Sequence, residues 1–360
     1  MGRIKFIGKV CVMWAFLLLN VATIFGAEKS DNNFSTPDFA FPKEVAKNAR
    51  PELKKALKEG NGPVALQALI QTVIAENLVS NSNAAAGAKL IDSVANVLDA
   101  PYSSLAYVLE ARLYSDIYRS NSWVYNGRTL PAGTEPEDIT EWSRDIFSNR
   151  VCRLTEKSFS GADAAKGMGF ESVKNIVTNA ADASSEGLSL YDFITMQSVN
   201  NLRPFANNST ATIPFFNGVA KGNRSTERDA SELITQVLSD NSQWHNTQGL
   251  TKGGAAMAYY RLGINESNED LSKLLEDYKD TPYCARFIMN RISGVSPQNV
   301  KEYSETYALG SEYLKKYPEA TNSNALKTML ENHKHLSDNR PFELTHRLFG
   351  RLTRRHTALT

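Results

Sequence analysis

A chain of 360 residues, 42% hydrophobic and 22% charged, can bury real cores as two modest domains or one long helical array. Its formal net charge of +1 excludes a general polyanion binder, because affinity for a phosphate backbone needs a net basic face. No nucleic-acid partner is expected.

Residues 1–27 read as a signal peptide. Arg3, Lys5 and Lys9 give a positive start, residues 10–24 carry no charge, and Gly26-Ala27 offers small residues for cleavage. Phe25 is bulkier than peptidases prefer near that cut. An uncleaved anchor is therefore the alternative, and the one membrane contact the sequence suggests, although the run is short of the ~20 residues usual for a span. Export to a periplasm or cell envelope is the expectation. Residues 28–38 follow as a polar, flexible tail.

A helical array is expected over 39–200. Arg50-Pro51 opens a charged helix through Lys58 that stops at Gly60-Asn61-Gly62, and Pro63 starts the next. Leu66, Leu69, Ile70, Val73, Ile74 and Leu78 then recur at helical spacing, as do Leu90, Ile91, Val94, Val97 and Leu98. After Asp99-Ala100-Pro101 a third helix carries Leu105, Val108, Leu109, Leu113 and Ile117. A break at 121–137 holds Trp123 and Tyr125, which a purely solvated loop would not need. Pro136-Glu137-Asp138 predicts a helix running through Trp142 and Phe147 to Phe159. Ser189 and Asp192 stand in capping-box positions, with Asp in place of the usual Glu.

Residues 201–224 read as an irregular loop with Pro204, Pro214 and the pair Phe215-Phe216. Helical-hairpin repeats are expected over 225–338. Leu274-Leu275-Glu276-Asp277-Tyr278 leads through Lys279-Asp280-Thr281-Pro282 into a second helix. Tyr313-Leu314-Lys315-Lys316-Tyr317 leads through Pro318-Glu319-Ala320-Thr321 into another. Helix, polar turn and returning helix is the unit of a solenoid, here TPR-like. The fold class is all-α, with one exception: Phe342, Leu344, His346 and Leu348 alternate with polar residues, a strand period within a basic tail at 339–360.

The sequence carries no recognisable catalytic or metal-binding motif. The sequence has no His-Glu-x-x-His, no Gly-x-Ser-x-Gly and no phosphate loop, and Gly167-Met168-Gly169 reads as a helix connection. His333, His335 and His346 lack a completing carboxylate or thiol, so no cofactor or metal is expected. Tyr260, Tyr278, Tyr303, Tyr307, Tyr313 and Tyr317 read as packing residues. Cys152 and Cys284, which remain after cleavage, could pair in an oxidising compartment, and buried free thiols are equally natural.

Several segments together resemble the amino-terminal region of the alpha-2-macroglobulin-like proteins of Bacteroidetes. They are Phe39-Ala40-Phe41-Pro42, the tract from Leu53 to Gly62, Leu90-Ile91-Asp92-Ser93-Val94, Leu109-Glu110-Ala111 with Tyr114, Pro136 to Trp142, Leu190-Tyr191-Asp192-Phe193, and Tyr313 to Pro318. The resemblance implies a helical prelude to β-sandwich domains in the envelope of a Gram-negative bacterium, with a scaffold or docking role in a family of protease inhibitors. The family's Cys-x-Glu-Gln thioester pattern is absent, since Cys152 precedes Arg153-Leu154-Thr155 and Cys284 precedes Ala285-Arg286-Phe287. Covalent trapping is therefore not carried over. The expected function is a non-catalytic protein-interaction module, and the alternative is an independent exported repeat protein holding a peptide, glycan or partner protein. Trp123, Tyr125, Phe215 and Phe216 are the candidate contact residues.

Overall fold

A computed structural model describes residues 41–80, 84–131, 134–177, 180–206, 229–264, 269–296 and 299–337. The signal segment, Phe215, Phe216 and the strand-like tail at 342–348 lie outside them. Among the described residues every regular element is helical and none is a strand. The all-α expectation is met. Two compact units divide between Gln243 and Trp244, C-terminal of the 201–224 stretch and inside one helix.

The first unit opens with α1 (Pro42–Lys58) and α2 (Gly62–Ser80), which pack on each other. Pro51, expected to open this helix, lies inside it. Ala49, Leu53 and Ala56 form a buried stripe at i, i+4 and i+7 that spans the proline, so packing overrides its helix-breaking tendency. Gly60 ends the helix with φ +68°, a conformation that glycine adopts without steric cost. Asn61 then caps α2 by accepting from the Val64 amide at 3.3 Å. Over Gly62–Val79, α2 is long and apolar enough to cross a membrane by length and composition, and half of that window is buried within the fold.

Next come α3 (Ala84–Ala95) and α4 (Tyr102–Ser120), the latter entered through a cis Ala100–Pro101 bond. Helix α4 buries twelve of its nineteen residues, so it is the axis of the unit. It meets α2, α3, the short α5 (Ser122–Asn126), α6 (Arg144–Ser160) and α8 (Leu190–Ala206). Leu66, Leu69, Phe147, Leu190, Ile194 and Leu202 are all fully buried around it. Each such side chain contributes roughly 1.5–3 kcal/mol relative to an exposed one.

The helix expected through Trp142 is two pieces. Asp138 accepts from the Thr140 amide at 2.8 Å and caps a 3-10 turn, Ile139–Glu141. The chain then turns extended at Trp142 (ψ 149°) and restarts at Arg144. Gly167-Met168-Gly169 does join short helical turns, Ala162–Ala165 and Phe170–Val173, followed by α7 (Ala180–Ser185). Residues 201–206, expected in the irregular loop, complete α8 instead, with Leu202 and Phe205 buried around Pro204. The capping box forms: the Ser189 amide donates to Asp192 Oδ2 at 2.8 Å, and the Asp192 amide donates to Ser189 Oγ at 3.3 Å. Asn241 adds a 2.8 Å bond to the other Asp192 oxygen, tying α8 to α9 (Ala230–Gln248).

The second unit carries α10 (Lys252–Leu262), α11 (Leu271–Tyr278), α12 (Ala285–Gly294), α13 (Val300–Lys316) and α14 (Ser323–Ser337). Helices adjacent in sequence pack on each other from α10 to α14, and α12 also meets α14. The two sequence-similar segments are therefore both helical hairpins, α11–α12 and α13–α14. Leu274 and Tyr278 of the first pack with Phe287 and Ile288. Tyr303, Tyr313, Leu326 and Leu330 of the second join the same core, so the reading of Tyr278, Tyr303 and Tyr313 as packing residues holds. Cys152 and Cys284 are buried thiols, not a disulfide.

Candidate functional site

Trp123 and Tyr125, two residues apart on a one-turn helix, face in opposite senses. Trp123 is 79% exposed, whereas Tyr125 is 5% exposed. Tyr125 lies 4.7 Å from the Phe147 ring and 6.3 Å from that of Tyr118, and the Arg128 guanidinium covers it at 5.5 Å. Tyr125 therefore anchors the segment and offers no face to a partner, which corrects its place among the contact residues. Tyr118 also donates to Asn126 Oδ1 at 2.8 Å, and Arg128 bonds the carbonyls of Thr140 and, at 3.4 Å, Trp142. Helix α5 is clamped on both sides, so its one exposed aromatic is presented from a fixed base.

Beside this clamp lies a polar cluster that the sequence reading did not single out. Glu110, on α4, is 2% exposed, and its Oε2 accepts no hydrogen bond. Asp92 approaches from α3, and Arg150 and Lys157 from α6. Burial, with Asp92 adding to it, pushes the Glu110 carboxyl up to about 8 against the pull of Arg150 and Lys157. Both cations are engaged elsewhere. Lys157 Nζ lies 3.3 Å from Asp92 Oδ1 and 4.8 Å from the Tyr107 ring. Arg150 pairs with Glu135 and lies 5.8 Å from the Tyr114 ring and 5.7 Å from that of Trp142. Those two rings stack at 5.3 Å, and the Trp142 indole donates to the Pro136 carbonyl at 2.8 Å. Burial, and then Glu110, pushes the Tyr114 hydroxyl up to about 12. At neutral pH Glu110 is thus a carboxylic acid enclosed by protein, suited to holding a proton.

The one sequence signal for this cluster was a Glu between Leu109 and Ala111 on a largely apolar helix. Its partners come from two other helices and a connecting segment, which periodicity along one helix cannot assemble.

A second network is structural. Arg112 and Arg119 each lie 3.4 Å from Asp116, and they reach across to Gln197 and the Asn200 carbonyl on α8. Burial raises the Asp116 carboxyl and lowers the Arg119 guanidinium, and the ion pairs oppose both shifts. Between α2, α3 and α4 an apolar cleft of about 20 Å³ is lined by residues including Leu69, Val73, Ile91 and Leu113. It has room for about one water, far below the ~300 Å³ of a small-molecule pocket. Among the described residues no group of three or more His, Cys, Asp or Glu side chains is placed to hold a metal.

No protein-family model, curated protein or solved structure matches the chain.

Proposed function

We propose that the chain is a non-catalytic protein-interaction module of the cell envelope, with Trp123 as an anchor of its contact surface. The observation that carries this is the 79% exposed indole on a helix fixed by its neighbour Tyr125. A rigid aromatic loses little conformational entropy on docking and has a large apolar face to bury, which is why tryptophan is enriched among interface anchors. The repeated hairpins of the second unit support a TPR-like solenoid, an architecture that grows surface for binding. The basic start and uncharged run at 10–24 support export. The macroglobulin-like resemblance adds the suggestion of a scaffold role.

A photo-crosslinking residue placed at position 123 of the full chain, expressed in an envelope-bearing bacterial host, tests the reading. A discrete protein adduct is expected, absent when the crosslinker is placed at Val97, which is itself 67% exposed. Equal, diffuse adducts from both positions would remove Trp123 from the account.

A further inference from the structure

We propose that α1 docks on a bilayer surface bearing anionic headgroups, through a basic row that runs along the helix. Lys43, Lys47, Arg50, Lys54 and Lys58 recur at i, i+4, i+7, i+11 and i+15, a spacing that places them on one helix face. All five are exposed. The acids of the helix, Glu44 and Glu52, fall outside the row, and the stripe of Ala49, Leu53 and Ala56 occupies the buried face. At ~1.5 Å per residue the row is about 22 Å long. Arg50 is engaged by Glu76 of α2. Among the described residues no carboxylate pairs with Lys43, Lys47, Lys54 or Lys58. Helix α1 has one extensive neighbour, α2, so the row lies along an open edge of the first unit.

Charge and chain position together choose the occupant. The helix carries six cations against two acids, whereas the whole chain nets +1, so the attraction is confined to one straight strip. A basic row on an amphipathic helix suits a flat anionic layer, where lysine stems lie along the surface and their ammonium groups reach the phosphates. The row also begins soon after the uncharged run at 10–24, with residues 25–42 between them, so a membrane that receives the run meets α1 next. Docking through this row is independent of Trp123 as a protein anchor.

The test is co-sedimentation of the full chain with vesicles of phosphatidylglycerol and phosphatidylcholine, against vesicles of phosphatidylcholine alone. The run at 10–24 contributes to both, so the excess on anionic vesicles reports charge. Lys43→Gln, Lys47→Gln, Lys54→Gln and Lys58→Gln together should lower affinity for the anionic vesicles about tenfold or more. Lys273→Gln, Lys301→Gln, Lys315→Gln and Lys327→Gln together remove the same charge from the second unit and should leave most of the excess. All eight sites are exposed and glutamine keeps the helix propensity of lysine, so neither set should unfold the chain. Equal losses from the two sets, or no anionic excess in the parent, would overturn the docking. A photo-crosslinking residue at position 47, in the same envelope-bearing host, should give lipid adducts. A discrete protein adduct without lipid would assign the row to an acidic protein and overturn the docking as well.

Discussion

The hydroxyl of Tyr313, on α13, donates to the backbone carbonyl of Pro282 at 2.8 Å, so the second hairpin grips the turn of the first. Tyr317, one helical turn on, bonds the Asp280 carbonyl, and Lys316 reaches Asp280 Oδ1 at 2.7 Å. Of these contacts the Tyr313 bond is the most sheltered. Tyr313→Phe should cost about 1 kcal/mol, the net worth of one hydrogen bond. Lys316→Ala should cost less than about 0.5 kcal/mol, because that ion pair is exposed. Urea denaturation of the full chain measures both, and the reverse order would transfer the grip to the ion pair.

Gly310 lets α13 lie close against Leu330 of α14 and Ile288 of α12. A Cβ there would lie 3.0 Å from Leu330 Cδ1 and 3.4 Å from Ile288 Cγ2. Gly310→Val should destabilise by about 1–3 kcal/mol through overpacking. Leu330→Ala in the same chain should recover part of that loss. Strict additivity of the two changes would show that the contact is not the cause.

Asp192 satisfies three donors: the Ser189 amide, the Ser189 hydroxyl and the Asn241 side chain. Ser189→Ala removes one side of the capping box and should cost about 1 kcal/mol. Asp192→Ala leaves buried donors without an acceptor and should cost about 2–3 kcal/mol. Thermal denaturation at neutral pH should rank the two variants in that order.

Stability should depend on pH through Glu110. Its carboxyl stands at 4.5 when unperturbed and at about 8 in the fold. Below pH 4.5 folded and unfolded chains both hold the proton, and this contribution to stability is complete. Between 4.5 and 8 only the folded chain holds it, so stability falls as pH rises. Above 8 both forms are ionised and the loss, on the order of 5 kcal/mol at its limit, levels off. Glu110→Gln should flatten this part of the profile when unfolding free energies are compared at pH 5, 6.5, 8 and 9.5. An unchanged slope in the variant would assign the pH dependence to other groups.

Burial pushes the Cys284 thiol up to about 12, and its side chain has no exposed surface. The thiolate is the reactive form, so iodoacetamide at pH 8 should leave Cys284 unmodified in the native chain and alkylate it in urea. Peptide mapping by mass spectrometry distinguishes the two, and native labelling at the denatured rate would contradict the packing around α12.

Local signals in the sequence translated well into local structure. Ser189 and Asp192 announced their capping box, and the repeated Leu-Leu and Tyr patterns announced both hairpins of the second unit. Proline misled twice in the same way. Pro51 and Pro204 read as boundaries, yet each lies inside a helix whose flanking apolar residues, Leu53 in one and Leu202 with Phe205 in the other, are buried. Trp142 misled in the opposite sense, because an indole stacked on Tyr114 and bonded to Pro136 draws the backbone out of a helix that its flanks favour. Trp123 and Tyr125 had the same signature in one dimension. Contacts with Phe147 and Tyr118, made through the fold and not along the segment, separate the anchor from the exposed ring.

Helix α2 leaves the chain with a choice of solvents. By length and composition it could dissolve in lipid, and in the fold it dissolves in α1, α3 and α4 instead. Beside a bilayer, lipid and the rest of the first unit are then two apolar phases open to the same helix. A change that weakens the docking of α1, Leu53→Ala for example, should therefore raise the share of chain that co-sediments with lipid vesicles, and an unchanged share would show that burial of α2 does not depend on α1.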